Sequence, residues 1–374
     1  MRRCYFVAGL LALVLSVALG AFATGCGRTT TTTTVAATTE STAGGAADTY
    51  AQSTVLTGPN VPAPSNWGFD LALVDPAASR LYLADFSNSR VDVWDISSNK
   101  YVGGIAGPFT GLLGIKSGYD QLGPDGLVLD DKGQLWVGDG DGSVKVIDTK
   151  ALKVVATIKT GATKRADEFS YDAADGLIMV TCPAEQTPFV AFIDAQTHQM
   201  VGKLEISGAT SIEQPTWNPT TGKFYLSVAT RAGGEVDVID PSKRTVDSKI
   251  DLGKCSPTGQ VFGPGTQLLV GCAAGGQPAI IDVATGKILT RLQPPTSQDG
   301  IDQVAYDSKT NRYFLADPGT IVVVDASTLA PLPSINDGSQ AAHSVAVDSA
   351  SGAVYVPNDA KGVVVYSPGA ASGK

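Results

Sequence analysis

One pattern recurs seven times along this chain, at a period that few architectures use. In GIDQVAYDSKTNRYFLAD, residues 300–317, two alternating apolar runs flank a polar turn headed by Asp307. The turn position recurs at Asp75, Asp130, Asp172, Asn218, Gly263 and Asp348, and the successive spacings are 55, 42, 46, 45, 44 and 41 residues. Each unit adds a third alternating run, such as RVDVWDI, SVKVIDT or GVVVYSP, and six of the seven add a fourth, from KYVGGI to LAPLPSI. Period-two alternation bounded by Asp, Asn, Gly and Pro marks strands joined by turns, because successive side chains of a strand point to opposite faces. A period in the forties with four strands per unit predicts an all-β fold, a seven-bladed β-propeller with four antiparallel strands per blade. The seventh unit ends after its third strand. STVLT, residues 53–57, is expected to supply the missing one and close the ring, which limits free sheet edges.

The residue five places before each turn is Asp70, Asp125, Asp167, Glu213, Thr258, Asp302 or His343, so five of the seven are acidic. In a propeller the first strand of each blade lines the central channel. These residues are therefore expected to crowd one mouth of it. The ends of the second strands, Asp85, Asp139, Cys182, Val228, Cys272, Asp317 and Asn358, are expected on the same face as a second ring. For any single Asp at a strand start, accepting backbone N–H groups from a loop is the commoner use. Several carboxylates crowded together raise one another's pKa and require a compensating charge. The candidates are a divalent cation such as Ca²⁺ held by oxygens, a cationic ligand, or the loop bases Lys164, Arg165, Arg231 and Lys254. His343 beside such acids is a candidate metal ligand or proton shuttle, whereas His198 lies in a turn of the third blade.

The N-terminus reads as an export signal. Met1-Arg2-Arg3 precedes the apolar run YFVAGLLALVLSVALGAFA, and small residues follow it. Ala23-Thr24-Gly25-Cys26 resembles the lipobox of bacterial lipoproteins, although Leu is usual where Ala23 stands, and the resemblance implies lipidation of Cys26. The rival cut follows Ala21-Phe22-Ala23 and would release a soluble protein. The expected organisation is a signal at 1–25, a Thr-rich tether at 26–50, a propeller at 51–368 and a tail at 369–374. RTTTTTTVAATTESTAGGAAD has too little apolar surface to offset its ordering entropy, so it is read as flexible. The destination is a membrane lipoprotein facing the periplasm or the cell exterior. Of 27 Lys and Arg, Arg2 and Arg3 leave with the signal, so 25 face 36 Asp and Glu, a net charge of −11. That balance argues against nucleic acid or anionic lipid as a partner of the folded part. The expected partners are the membrane, through the lipid anchor, and a small molecule or protein at the funnel of a monomer.

Two resemblances sharpen this reading. VYVPN at 354–358 and the VID-type endings of the third runs resemble the YVTN type of propeller repeat, over about residues 50–368. GPDGLVLDDKGQLWVGDGDG, residues 123–142, is similar to a segment of the gluconolactonase and senescence-marker family. In that family the Asp of a PDG-like turn ligates the catalytic divalent metal for lactone hydrolysis, and the matching position is Asp125. The family's Asn-Gly metal turn and first-blade glutamate have no clear match.

Signatures of other chemistries are missing: the chain contains no GxSxG, GxxxxGK[ST], HExxH or CxxCH. Binding at an acidic funnel is therefore the leading reading. A metal-dependent lactonase is the alternative, and a subunit for periplasmic redox partners is a third idea without a cofactor signature. GIAGPFTGLLGIKSGYDQLGP, the insertion behind the spacing of 55, carries Phe109, Leu112, Leu113 and Ile115 as either a lid or a plug. In an oxidising compartment a Cys255–Cys272 disulfide with Cys182 free is expected, because both cysteines lie at one face of one blade. Cys182 and Cys272 sit two blades apart, which is too far for bridge geometry.

Overall fold

The computed structural model describes residues 49–63, 67–112, 119–273, 275–293, 295–339 and 343–369. The expected export signal, Cys26, most of the expected Thr-rich tether, Leu113 and Ile115 lie outside these residues. Seven four-stranded antiparallel sheets follow one another along the chain, and the first strands of neighbouring sheets pack on one another around a central axis. Blade 1 consists of Ala72–Asp75, Arg80–Asp85, Arg90–Asp95 and Lys100–Ala106. The other blades repeat this plan.

The repeated turn residue forms the bend through its own side chain. Asp75 Oδ1 accepts the N–H groups of Ala77 and Ala78, and Asp172, Asn218, Asp307 and Asp348 do the same for the residues two and three places on. Asp95, Asp148, Asp194, Asp240 and Asp325 repeat the device at the ends of third strands. A short acceptor side chain that satisfies two turn donors explains why Asp punctuates this sequence so regularly.

Seven apolar clusters lie among the described residues, and each spans two adjacent blades. Blade 7 is completed from the other end of the chain. Tyr50–Leu56 pairs antiparallel with Gly362–Pro368, setting Tyr50 opposite Pro368 and Leu56 opposite Val363. Leu56 is buried among Trp67, Trp94 and Val363, and Trp94 Nε1 donates to Thr57 O at 2.9 Å. This strand closes the ring, as the incomplete seventh unit implied. No helix among the described residues is long and apolar enough to cross a membrane.

Candidate functional site

Backbone hydrogen bonds place the acid positions in one register. The N–H groups of Asp70, Asp125, Asp167 and Asp302 donate to the carbonyls of Ala84, Gly138, Thr181 and Ala316, at 2.8, 3.1, 2.9 and 3.3 Å. Each acceptor immediately precedes the end position of its second strand. Glu213 and Thr258 depart from this register because each lies in a bulge. Ile212 faces Val228 while Pro215 faces Leu226, and Pro257 faces Cys272 while Gln260 faces Val270. A bulge adds a residue and re-aims the side chains beside it.

A cavity of about 380 Å³ opens at this mouth of the channel. Five ring positions line it: Asp70, Asp125, Thr258, Asp302 and His343. Phe69, Phe86, Leu122, Ile301 and Pro318 supply its apolar lining, and Asp299, Gly300 and Arg165 complete it. His343 stacks on Phe69 at 5.3 Å between ring centroids and holds Nε2 3.7 Å from Asp70 Oδ1. Asp167 and Glu213 are not part of the lining. Asp167 Oδ2 instead lies 2.9 Å from an Arg165 terminal nitrogen, and Glu213 Oε1 accepts the Ser211 hydroxyl at 2.6 Å. Below the ring, Gln303 Nε2 of blade 6 donates to Glu168 Oε1 of blade 3, a bar across the channel that floors the funnel.

Arg165 supplies the compensating charge. Burial works against its guanidinium, but Asp167, Asp125, Glu213 and Asp70 outweigh that cost and hold it protonated above its ordinary range. One cation is too little for so many acids. Burial, opposed by Arg165 and reinforced by Asp70, Glu213 and Asp302, pushes Asp167 up to about 8. Asp125 and Glu168 are driven well above the carboxylate range by burial first and by neighbouring acids second. Glu213 and Asp302 are also raised by burial, with Arg165 opposing at the first and His343 at the second. Asp125 is 2% exposed, and its Oδ2 has no hydrogen-bond partner. A buried, unpaired carboxylate oxygen in the lining of a cavity is costly unless something fills its lone pairs.

The long insertion positions Arg165. Its 3₁₀ turn at Tyr119–Gln121 brings the Asp120 carbonyl to the Arg165 N–H at 2.9 Å, and the Asp120 carboxylate to Lys164 Nζ at 3.0 Å. Lys164 is thus engaged outside the ring, and Arg231 and Lys254 do not line the cavity. Phe109 is buried between blades 1 and 2 with Leu71, Tyr82 and Leu127, so this part of the insertion plugs a blade interface, while Leu112 stays 40% exposed. The glycine after Asp125 is dictated by crowding: a Cβ on Gly126 would lie 2.1 Å from the Asp167 carbonyl oxygen.

The second ring is taken up by loop contacts. Asp85 accepts Trp67 Nε1 at 2.8 Å and the Asn88 N–H at 2.9 Å. Asp139 accepts the N–H and hydroxyl of Thr110 and pairs with buried Lys145 at 2.9 Å. Asp317 accepts from Thr296 and Ser297, and Asn358 donates to the Asp337 carbonyl. At the same position Cys272 is bonded to Cys255, and the buried free Cys182 sits 3.6 Å from the Thr160 hydroxyl. Six blades thus use one position to fasten the incoming interblade loop, by different chemistries. His198 is structural as well: it meets Gln134 Oε1 at 3.1 Å and the edge of Trp136.

These donors do not fit a divalent cation. Among the described residues no three Asp, Glu, His or Cys side chains converge as ligands, and Arg165 already lies among Asp125, Asp167 and Glu213 as their counter-charge. Sequence reasoning named Arg165 only as one of four bases. It missed the apolar wall and the Glu168–Gln303 bar, because neither occupies the repeat position that revealed the ring.

Fold and site together define a seven-bladed β-propeller with an acidic, arginine-centred funnel at one mouth of its channel. No protein-family model matches the chain, and no curated protein matches it. Among solved structures it is similar to hydrazine synthase of Kuenenia stuttgartiensis, with a TM-score of 0.67 and 17% identity over 85% of this chain and 98% of that one. It is also similar to a chain of a mitotic checkpoint complex, with a TM-score of 0.65 and 11% identity over 94% and 99%. At such identities the likeness is one of fold alone.

Proposed function

We propose that this chain is a binding platform whose acidic funnel takes a small ligand carrying a positive charge. Asp125 carries the reading, as a buried acid with an unpartnered oxygen in the lining of a cavity of about 380 Å³, which an adjacent positive charge would draw into its charged form. Volumes of about 300–1,000 Å³ with an apolar wall and few polar groups are typical of small-molecule sites. The export signal and lipobox-like Cys26 support a tethered, extracytoplasmic location. Intact-mass analysis of the processed chain tests this: a lipid on Cys26 is expected, and an unmodified chain starting at Thr24 overturns it. A metal-dependent lactonase is not favoured, because the acids around Asp125 are organised on a guanidinium.

Thermal denaturation with isopentylamine, a cation at pH 7, against uncharged isopentanol tests the ligand reading. Binding to the folded state alone adds RT ln(1 + [L]/Kd), about 2.7 kcal/mol at a hundredfold excess over Kd. The amine is expected to raise Tm and the alcohol to leave it unchanged. The double substitution Asp125→Asn with Asp302→Asn is expected to remove the response with the circular dichroism spectrum intact. Equal responses to amine and alcohol overturn the reading.

A further inference from the structure

Resting on that reading of the funnel, we infer that its ligand is dipolar: a small zwitterion with an ammonium group, a carboxylate and an aliphatic side chain, as in a free amino acid. Three features of one cavity carry this. Asp70, Asp125 and Asp302 line the cavity, and acids there recognise an ammonium. Opposite in charge, and lining the same cavity, is Arg165. Its side chain is 27% exposed, and its ion pair with Asp167 engages one terminal nitrogen. A planar guanidinium with unspent N–H groups is the side chain best shaped to take a carboxylate. Phe69, Phe86 and Ile301 add apolar surface to the same lining, which suits a branched aliphatic group. A simple cation satisfies Asp125 but brings its ammonium into a site that also holds a guanidinium. A simple anion would meet the acids. A ligand with both charges matches the acids of the lining and the guanidinium of Arg165 at once.

The insertion between blades 1 and 2 makes Arg165 a built feature of the site. The Asp120 carbonyl fixes the Arg165 backbone at 2.9 Å. That anchorage lies outside the acid ring, so the guanidinium's position does not depend on the acids alone.

Calorimetry on the whole exported chain with three matched probes tests the inference. L-leucine has both charges, isopentylamine is the same skeleton without the carboxylate, and N-acetyl-L-leucine lacks the ammonium. A charge-assisted hydrogen bond is typically worth a factor of ten or more in affinity. L-leucine is expected to bind at least tenfold more tightly than either analogue. Arg165→Lys, which keeps the charge but loses the fork, is expected, with its circular dichroism spectrum checked against the parent's, to reduce that preference over the amine to less than threefold while amine binding persists. Equal affinity for L-leucine and isopentylamine overturns the dipolar ligand and leaves the cation site standing. No binding of any probe overturns both. An undiminished preference in folded Arg165→Lys also overturns the inference, because the carboxylate is then read elsewhere.

Discussion

Asp125 and its neighbours make the empty funnel sensitive to pH in a direction that can be worked out. Asp125, Asp167, Glu168, Glu213 and Asp302 all titrate above their ordinary values in the fold, Asp167 at about 8, chiefly because burial disfavours their charged forms. In the unfolded chain such groups titrate near pH 4. Between about pH 4 and 8 the folded state therefore binds more protons than the unfolded one, and stability falls as pH rises through that window. Acids held low by turn hydrogen bonds and Lys partners, such as Asp240, contribute their dependence below pH 4 and do not oppose this trend. Calorimetric Tm values are expected to decline from pH 5 to pH 8.5. Asp125→Asn should flatten the decline and raise Tm at pH 8 by about 2 °C or more. A Tm that climbs with pH would mean that the acids are stabilised as anions.

The blade is the scale at which sequence and structure agree best, and the interblade loop is where they part. Strand number, order and the closing strand were legible because period two and turn chemistry are local properties, and the local preference agrees with the global fold. Spacing brought the ring positions to one mouth, where five of the seven line one cavity, but local contacts decided which: Thr258 lines it from a bulge, whereas Asp167, in register, is paired with Arg165. Arg165 and Asp299 enter from interblade loops of unequal length, so the repeat spacing did not single them out. The second ring was also placed by spacing, yet its chemistry was legible only in three dimensions, as loop fastening. That role makes a prediction at this scale. Asp139 joins the insertion, through Thr110, to Lys145, which is 1% exposed. Asp139→Ala leaves a buried ammonium with the Ser143 hydroxyl and, at 3.3 Å, the half-exposed Asp141 carboxylate. Breaking such a pair typically costs about 3–5 kcal/mol, and urea unfolding should show a loss at the lower end of that range. The Cys255–Cys272 bridge fastens the corresponding loop in blade 5, and its span of 17 residues implies about 3 kcal/mol by loop entropy. Replacing both cysteines by Ser should lower stability by about that amount without altering the amine response, since neither cysteine lines the cavity.

For the whole molecule, the ring holds only if blade 7 is completed from the far end of the chain. Tyr50–Leu56 contributes the fourth strand of a sheet whose other three come from residues 346–368, and Leu56 sits in the cluster joining blades 7 and 1. Removing residues before Gly58 would leave the Gly362–Pro368 strand as an open edge and expose that cluster. Open edges with apolar flanks template association with other chains. The truncated chain is expected to lose cooperative unfolding and to aggregate, and the cavity should fail with it, because Asp70 and His343 come from the two blades that this strand joins. The register offers a rescue that separates closure from chain position. Tyr50 lies opposite Pro368 and the Gly369 N–H donates to Thr49 O at 2.8 Å, so the two strand ends are already at hairpin distance. A permuted chain running from Gly58 to Gly369, through an Asn-Gly turn and on into residues 49–57, would build blade 7 in the strand order of the other six. Asn-Gly suits the tight turn that such a hairpin requires. The permutant is expected to recover single-transition unfolding within about 1 kcal/mol of the parent and the same Tm response to isopentylamine. Recovery of the fold without the response would place the ligand site away from the mouth formed by Asp70 and His343. Failure to recover the fold would show that Tyr50–Leu56 matters for its N-terminal position as well as for its strand.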